Sequence, residues 1–359
     1  MKVGVSSYWF NRGQGVVGRQ LRSALETLGH ETFVLARPTR ETNIKPSFVD
    51  EEGVWDQEGV TVASSYRIPA EEMLSWAEEN SLDAALFDQN YQFSEIGALR
   101  DTGVRTYGRF VWEHFAGEHV EPAQKALTSV YSVTACEEER YRQLGLDTPH
   151  IPWGIHPELI RDPTPNENGT VRLFFPGGFM SKRKPLEATL KAFRKAKGDD
   201  LRLVVKAQVE RGVDSVRNAA RKDERIEVIA EDLPTDEHLR LFASADACLA
   251  PSRWEGLGLH LFEATALGLP IVTNDNPPMN EVVQDGRNGL LVRGKPSKER
   301  PRSDIGSFEP DRRELTKAIE RLRDPELRSI LERGALERRS ELSWDRTVHA
   351  LGELLESGR

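Results

Sequence analysis

The stretch PSRWEGLGLHLFEATALGLPIVTND, Pro251 to Asp275, decides the fold. It follows the apolar run Ala247–Ala250, passes through a glycine-bearing loop into a helical segment that ends at Gly268, and enters a second apolar run, Pro270–Thr273. A strand, loop, helix and strand in that order form one unit of a parallel sheet. Glu255 in the loop and Glu263 in the helix are separated by seven residues. Gly256 and Gly258 lead into the helix, and backbone amides at its start would face anionic oxygen. Glu263 stands among Leu259, Leu261, Phe262, Ala264 and Ala266, where a carboxylate is costly unless it is hydrogen-bonded. Ribose hydroxyls would satisfy it. A lone helical glutamate beside Thr265 would read as a solvated face; the loop, glycines and both acids together favour a site.

Upstream, FFPGGFMSKRKPLEATLKAF runs from Phe174 to Phe193. A strand enters Gly177-Gly178, and Lys182, Arg183 and Lys184 precede an amphipathic helix near Pro185. Three cations at a strand's carboxyl edge suit a diphosphate and can offset charge growing on a leaving phosphate. Alone, a basic triplet is more often a solvated turn.

The same alternation extends outward. Strands are expected at Lys2–Ser6, Thr32–Leu35, Asp83–Phe87, Val104–Tyr107 and Ser132–Ala135, with a helix over Gly18–Leu28. The stretch PWGIHPELIRDPTPNENG, with four prolines and two glycines, reads as a linker. A second series follows at Val171–Phe175, Leu201–Val205, Ile226–Ile229, Ala247–Ala250, Pro270–Thr273 and Gly289–Val292. Helices are expected at Pro185–Ala196, Asp236–Ala243, Arg313–Arg323, Asp324–Arg339 and Trp344 to Glu356. Polar Arg293–Pro310 reads as a mobile loop. This is an α/β chain of two Rossmann-like, doubly wound domains, whose ligand edges lie outside the carboxyl ends of the strands. Two such units in tandem would face each other across a cleft.

Gly13-Gln-Gly15-Val-Val-Gly18 fits G-x-G-x-x-G, but Ser7–Arg12 separates it from the strand and no acid ends the second strand. Arg37 at that end leaves an NADP-type reading open, as a minor one. The glycine loop still offers bare amides to a phosphate or sugar, and the plain alternative is a tight loop without a ligand. Tyr8, Trp9 and Phe10 follow the first strand and fall at its ligand edge; Trp9 reads equally as core.

The net charge of −9 disfavours a nucleic-acid partner. No stretch approaches the roughly 18 apolar residues of a membrane span. MKVGVSSYWF reads as a strand and not as a signal peptide. Cys136 and Cys248 are far apart in apolar strand-like segments and read as buried thiols in a reducing compartment. The expected location is cytoplasmic, with work at the inner membrane face allowed.

The blocks around Lys184 and Glu255 resemble the retaining GT-B glycosyltransferases of the family 4 type. Glu255 to Glu263 matches that family's E-x7-E pattern, with Pro251-Ser252 before it and Ala264–Pro270 after it. Leu28-Gly29-His30-Glu31, Pro152-Trp153-Gly154-Ile155 and Ser343-Trp344 resemble its first helix and second strand, its interdomain segment and the start of its last helix. The resemblance implies an N-terminal acceptor-side domain over 1–152, a linker over 153–170, a nucleotide-sugar domain over 171–342, and a helix over 343–359 crossing back to the first domain. It implies a UDP- or GDP-sugar donor, a small-molecule, glycan or lipid-linked acceptor, retention, and neither cofactor nor metal. Glu263 would hold ribose, Glu255 the donor sugar, and Lys184, Arg183 and the amides of Gly256, Leu257, Gly258 and Leu259 the diphosphate, with Gly15 facing it. Phe179 replaces an expected arginine, and His260 stands where proline is common. The family's N-domain histidine has no clear counterpart, so Arg109 or Glu113 takes its catalytic place. Trp9, Gly13, Arg109 and His114 would meet the acceptor. A GT-B epimerase, a phosphorylase and a non-catalytic nucleotide-sugar binder are the alternatives.

Overall fold

The computed structural model describes residues 1–40, 47–162, 164 and 169–357. Two compact units emerge, one comprising Met1–Trp153 and the residues from Asp345 onward, the other Gly154–Trp344. Each is built on a six-stranded sheet.

In the first unit the strands are β1 (Lys2–Tyr8), β2 (Glu31–Arg37), β3 (Val60–Val62), β4 (Ala84–Asp88), β5 (Arg105–Arg109) and β6 (Ser129–Val130). They pair in parallel in the order β3-β2-β1-β4-β5-β6. In the second they are β7 (Val171–Gly178), β8 (Leu201–Ala207), β9 (Ile226–Ala230), β10 (Ala247–Leu249), β11 (Ile271–Asn274) and β12 (Gly289–Val292), in the order β12-β11-β10-β7-β8-β9. The two orders are the same doubly wound topology. In each unit the direction of winding reverses between its first and fourth strands, where loops diverge and leave a ligand crevice.

Apolar runs make these strands because both faces are covered by helices. Val3 and Val5 are buried, as are Leu173, Phe174 and Phe175. The Gly13–Thr27 helix buries Val17, Leu21, Ala24 and Leu25 at helical spacing. It begins at Gly13, so the expected glycine loop is the first turn of this helix. Packing explains two of its glycines. A Cβ on Gly15 would lie 2.2 Å from the Phe10 carbonyl oxygen, and one on Gly18 2.5 Å from Ser7 Oγ.

Three other expectations are corrected. Ser132–Ala135 is not a strand: Thr134 Oγ1 accepts a hydrogen bond from the Glu137 amide and caps a helix starting at Ala135, while Ser132 bridges to His150. Arg293–Pro310 is not loose throughout; β13 (Gly294–Pro296) and β14 (Phe308–Pro310) form an antiparallel hairpin. Cys136 lies in that capped helix and is only half-buried, whereas Cys248 is buried in β10.

The final helix, Trp344–Ser357, groups with the first unit from Asp345 onward. Thr347 Oγ1 donates to the Pro152 carbonyl at 2.7 Å, and Arg105 Nη1 to that of Leu355 at 2.7 Å. Among the described residues no helix is long and apolar enough to cross a membrane.

Candidate active site

In the second unit β7 and β10 are neighbours at the point where the winding reverses. The loops that follow them therefore meet. The first carries Lys182, Arg183 and Lys184; the second carries Ser252 and Glu255. Lys184 Nζ lies 2.7 Å from Glu255 Oε1 and 3.1 Å from Ser252 Oγ, and Ser252 Oγ donates to the same carboxylate oxygen at 2.7 Å. Arg183 Nη1 lies 3.3 Å from Glu255 Oε2. Two cations thus share one buried carboxylate, and the cluster carries an excess of positive charge. The Lys184 side chain is 10% exposed and that of Arg183 38%, so the lysine is fixed in the wall while the guanidinium stays reachable.

Beside this cluster begins the Leu259–Ala266 helix. Gly258 precedes it at φ +79° and contributes no capping side chain. A Cβ in that left-handed conformation would be strained. The bare helix start adds partial positive charge to that of the two side chains.

Burial alone would raise the Glu255 pKa, but Lys184 and then Arg183 outweigh it and hold the carboxyl far below its usual range. His260 Nε2 sits 3.5 Å from Lys184 Nζ and 4.0 Å from Glu255 Oε1. Burial and the Lys184 charge push its imidazole down to about 3. A histidine whose folded pKa is depressed costs stability as pH falls below its unfolded value. The ring signals of His260 are therefore expected to stay unchanged in an NMR titration from neutrality to about pH 5. A midpoint near the ordinary histidine value would disprove the neutral assignment.

Glu263 emerges from the same helix with its side chain 21% exposed, and Glu263 Oε2 lies 3.5 Å from His238 Nε2. Burial opposes ionisation, yet the His238 contact leaves the Glu263 pKa below its usual value. His238 is held edge-on against Phe174 and Phe242, each at 5.9 Å between centroids. Sequence reasoning missed His238. Its four-residue spacing from Phe242 marks a shared helix face, but nothing local ties that face to Glu263.

Lys182 does not join the cluster: its Nζ lies 3.1 Å from Glu299 Oε2. Arg253 braces the cation loop instead, donating to the Lys182 carbonyl at 2.6 Å and the Lys184 carbonyl at 3.3 Å. Its guanidinium also pairs with Glu309 in β14. The Phe308 amide donates to the Arg253 carbonyl at 3.1 Å, and Asn274 Nδ2 to the Phe308 carbonyl at 2.9 Å. The hairpin is thus bonded to both loops of the site.

The first unit corrects two assignments. Trp9 is fully buried, donates from Nε1 to the Trp55 carbonyl at 2.9 Å and packs edge-on against Trp55. It is a core residue, not an acceptor platform. Arg109 is 1% exposed and is held between Asp88, at 3.3 Å, and Glu137, at 3.1 Å. Its guanidinium satisfies two buried carboxylates and is not offered to a ligand. Glu113 is buried, with Oε1 3.7 Å from His114 Nε2, and the His114 ring is exposed. Gly13 is exposed and Gly15 buried.

Residues 170–301 match the family described as Glycosyl transferases group 1. A D-inositol 3-phosphate glycosyltransferase of Acidothermus cellulolyticus is 32% identical over 124 residues, which are 34% of this chain and 24% of that one. The chain thus spans about a quarter of that curated relative's length. Among solved structures, sucrose-phosphate synthase from Thermosynechococcus elongatus superposes with a TM-score of 0.75 at 16% identity, covering 99% of this chain and 98% of the other. Anabaena HepE in complex with UDP and glucose gives a TM-score of 0.75 at 15% identity, covering 99% and 100%. At such identities the likeness is one of fold, and that fold is GT-B.

Proposed function

We propose, from the premise that residues 170–301 are a glycosyl transferases group 1 segment within a GT-B fold, that the protein is a retaining glycosyltransferase. It moves a hexose-type sugar from a UDP- or GDP-sugar to a hydroxyl acceptor. The observation that carries this reading is the buried Lys184–Glu255 pair with Arg183, set beside a bare helix start at the switch point of the second sheet. Excess positive charge there suits a diphosphate.

In this reading Arg183, Lys184 and the amides of Gly256–Leu259 bind the diphosphate. Glu255 fixes Lys184 and accepts from a hydroxyl of the donor sugar. Glu263, beside His238, accepts from the ribose hydroxyls. The acceptor oxygen bonds to the anomeric carbon as the bond from that carbon to the phosphate oxygen breaks, on the same face. The hydroxyl proton passes to the departing phosphate, whose growing charge Lys184 stabilises. Side-chain cations do the work a metal would otherwise do, and the reaction is expected to run in EDTA. The same reading takes the protein to be cytoplasmic.

UDP or GDP is expected to raise the melting temperature, by about 2.7 kcal/mol of stabilisation at a hundredfold excess over Kd. EDTA should leave the shift in place. Glu263→Ala should weaken donor binding by about 1–3 kcal/mol, the worth of a hydrogen bond to a charged group. No melting shift with either nucleotide would sink the donor assignment. Withdrawal of Arg109 into the core favours one second reading, a nucleotide-sugar binder without transfer. Release of nucleoside diphosphate from UDP- or GDP-hexoses in the presence of acceptors separates the two.

A further inference from the structure

Beside the switch point of the first sheet, at the carboxyl ends of β1 and β2, a second cationic cluster forms. Tyr8 ends β1 and Arg37 ends β2, and the two are register partners. Tyr8 and Tyr66 stack at 5.8 Å between centroids. The Tyr66 ring takes the Arg37 guanidinium at 4.5 Å and that of Arg40 at 4.2 Å. Arg40 also donates to the Tyr66 hydroxyl. Two arginines therefore converge on one phenol.

Arg37 is 1% exposed, and among the described residues neither it nor Arg40 forms an ion pair with a carboxylate. Arg37 Nη1 donates to the Gln89 carbonyl at 3.2 Å. Asp88, the carboxylate that feels its charge, is ion-paired to Arg109. A buried cation without a counter-charge is expensive. Arg109, at the end of β5, is ion-paired to two carboxylates; Arg37, at the end of β2, is ion-paired to none among the described residues. At the end of β4, Gln89 adopts φ +52°, a strained conformation for that residue. The side-chain amide nitrogens of Gln89 and Asn90 are buried there without an acceptor. Backbone strain of this kind clusters at functional sites. Burial pushes Tyr8 up to about 12. Burial would raise Tyr66 too, but the Arg37 and Arg40 charges lower it, as expected in a positive field.

We propose that the Tyr8–Arg37–Arg40–Tyr66 cluster binds an anionic group, phosphate or carboxylate, carried by the acceptor. Tyr8 and Tyr66 hold the two guanidinium groups in place, and Arg40, which is exposed, makes the entering contact. The proposal rests on the transfer reading for the word acceptor, and its test separates the two.

The full chain, saturated with UDP or GDP, is titrated calorimetrically with a hexose phosphate, a hexuronate and the uncharged hexose. At least one charged sugar binds and the uncharged one does not; the stronger of the two identifies phosphate or carboxylate. Arg40→Glu weakens that binding by about 10- to 100-fold, as for loss of a charged hydrogen bond, and Arg40→Lys recovers part of it. Nucleoside diphosphate affinity and melting temperature stay the same in both variants. Equal binding of charged and uncharged sugars, binding by none of them, or full binding in Arg40→Glu overturns the proposal. Failure to bind either nucleoside diphosphate refutes the transfer reading instead, and the charged-sugar titration without nucleotide then still decides the site.

Discussion

Lys184→Ala is expected to lower turnover by about 100- to 1,000-fold, the range seen when a preorganised donor to a developing anion is removed. Donor affinity should fall far less. Lys184 is locked by Glu255 and Ser252 before any ligand arrives, so its charge is oriented without reorganisation. Arg183 still contacts Glu255 in the variant and keeps ground-state charge near the diphosphate. The measurement is kcat beside the Kd for the nucleoside diphosphate. Equal losses in both, or a loss in affinity alone, would remove Lys184 from the chemical step. Because the change also strips Glu255 of one partner, a melting curve must accompany it.

Arg109→Ala is expected to destabilise the fold by about 3–5 kcal/mol, the cost of breaking a buried ion pair from one side. Asp88 and Glu137 would be left facing each other in the core. Burial already raises both carboxyl pKa values despite Arg109. A carboxyl with a raised folded pKa binds more protons folded than unfolded, so stability falls as pH rises from its unfolded value toward its folded one. The variant should therefore be less destabilised in mild acid than at neutral pH. Denaturant melts at two pH values test this. An unchanged midpoint together with lost transfer would return Arg109 to the site.

The second unit was the more legible half. Lys184 follows the first strand of that unit, and Glu255 and Glu263 lie in the loop and helix after its fourth; glycines and apolar flanks fix each setting locally. What decides their use, the Ser252 hydroxyl, the His238 contact and the Arg253 brace, depends on neighbours far apart in the chain. The hairpin at 294–310 escaped notice because its strands are three residues each and rich in proline and charge. In the first unit the sequence showed an arginine and a tryptophan at strand ends but not which way they turned. Arg109 turned inward because Glu137, in the first turn of the Ala135–Gln143 helix, pairs with it. Arg37, read only as a faint nucleotide signal, is ion-paired to no carboxylate among the described residues. Ser132–Ala135 looked extended because Val133 and Thr134 are β-branched, and the Thr134 cap is what overrode that tendency.

The two cysteines fall one in each unit, and neither position is redundant. The Cys136 sulfur lies 3.2 Å from Thr134 Oγ1 at the start of a helix in the first unit, half in contact with solvent. Cys248 pairs between β7 and β11 in the middle of the second sheet, and burial pushes its thiol pKa well up. Alkylation of Cys248 therefore has to wait for that sheet to come apart, whereas Cys136 needs only a frayed helix end. The chain carries its own pair of clocks: mass-resolved thiol labelling reads the opening of the second sheet at Cys248 and the fraying of one helix start at Cys136, in one sample and without a substitution, and slowing of the Cys248 clock alone by a nucleotide would report that the second unit had closed on it.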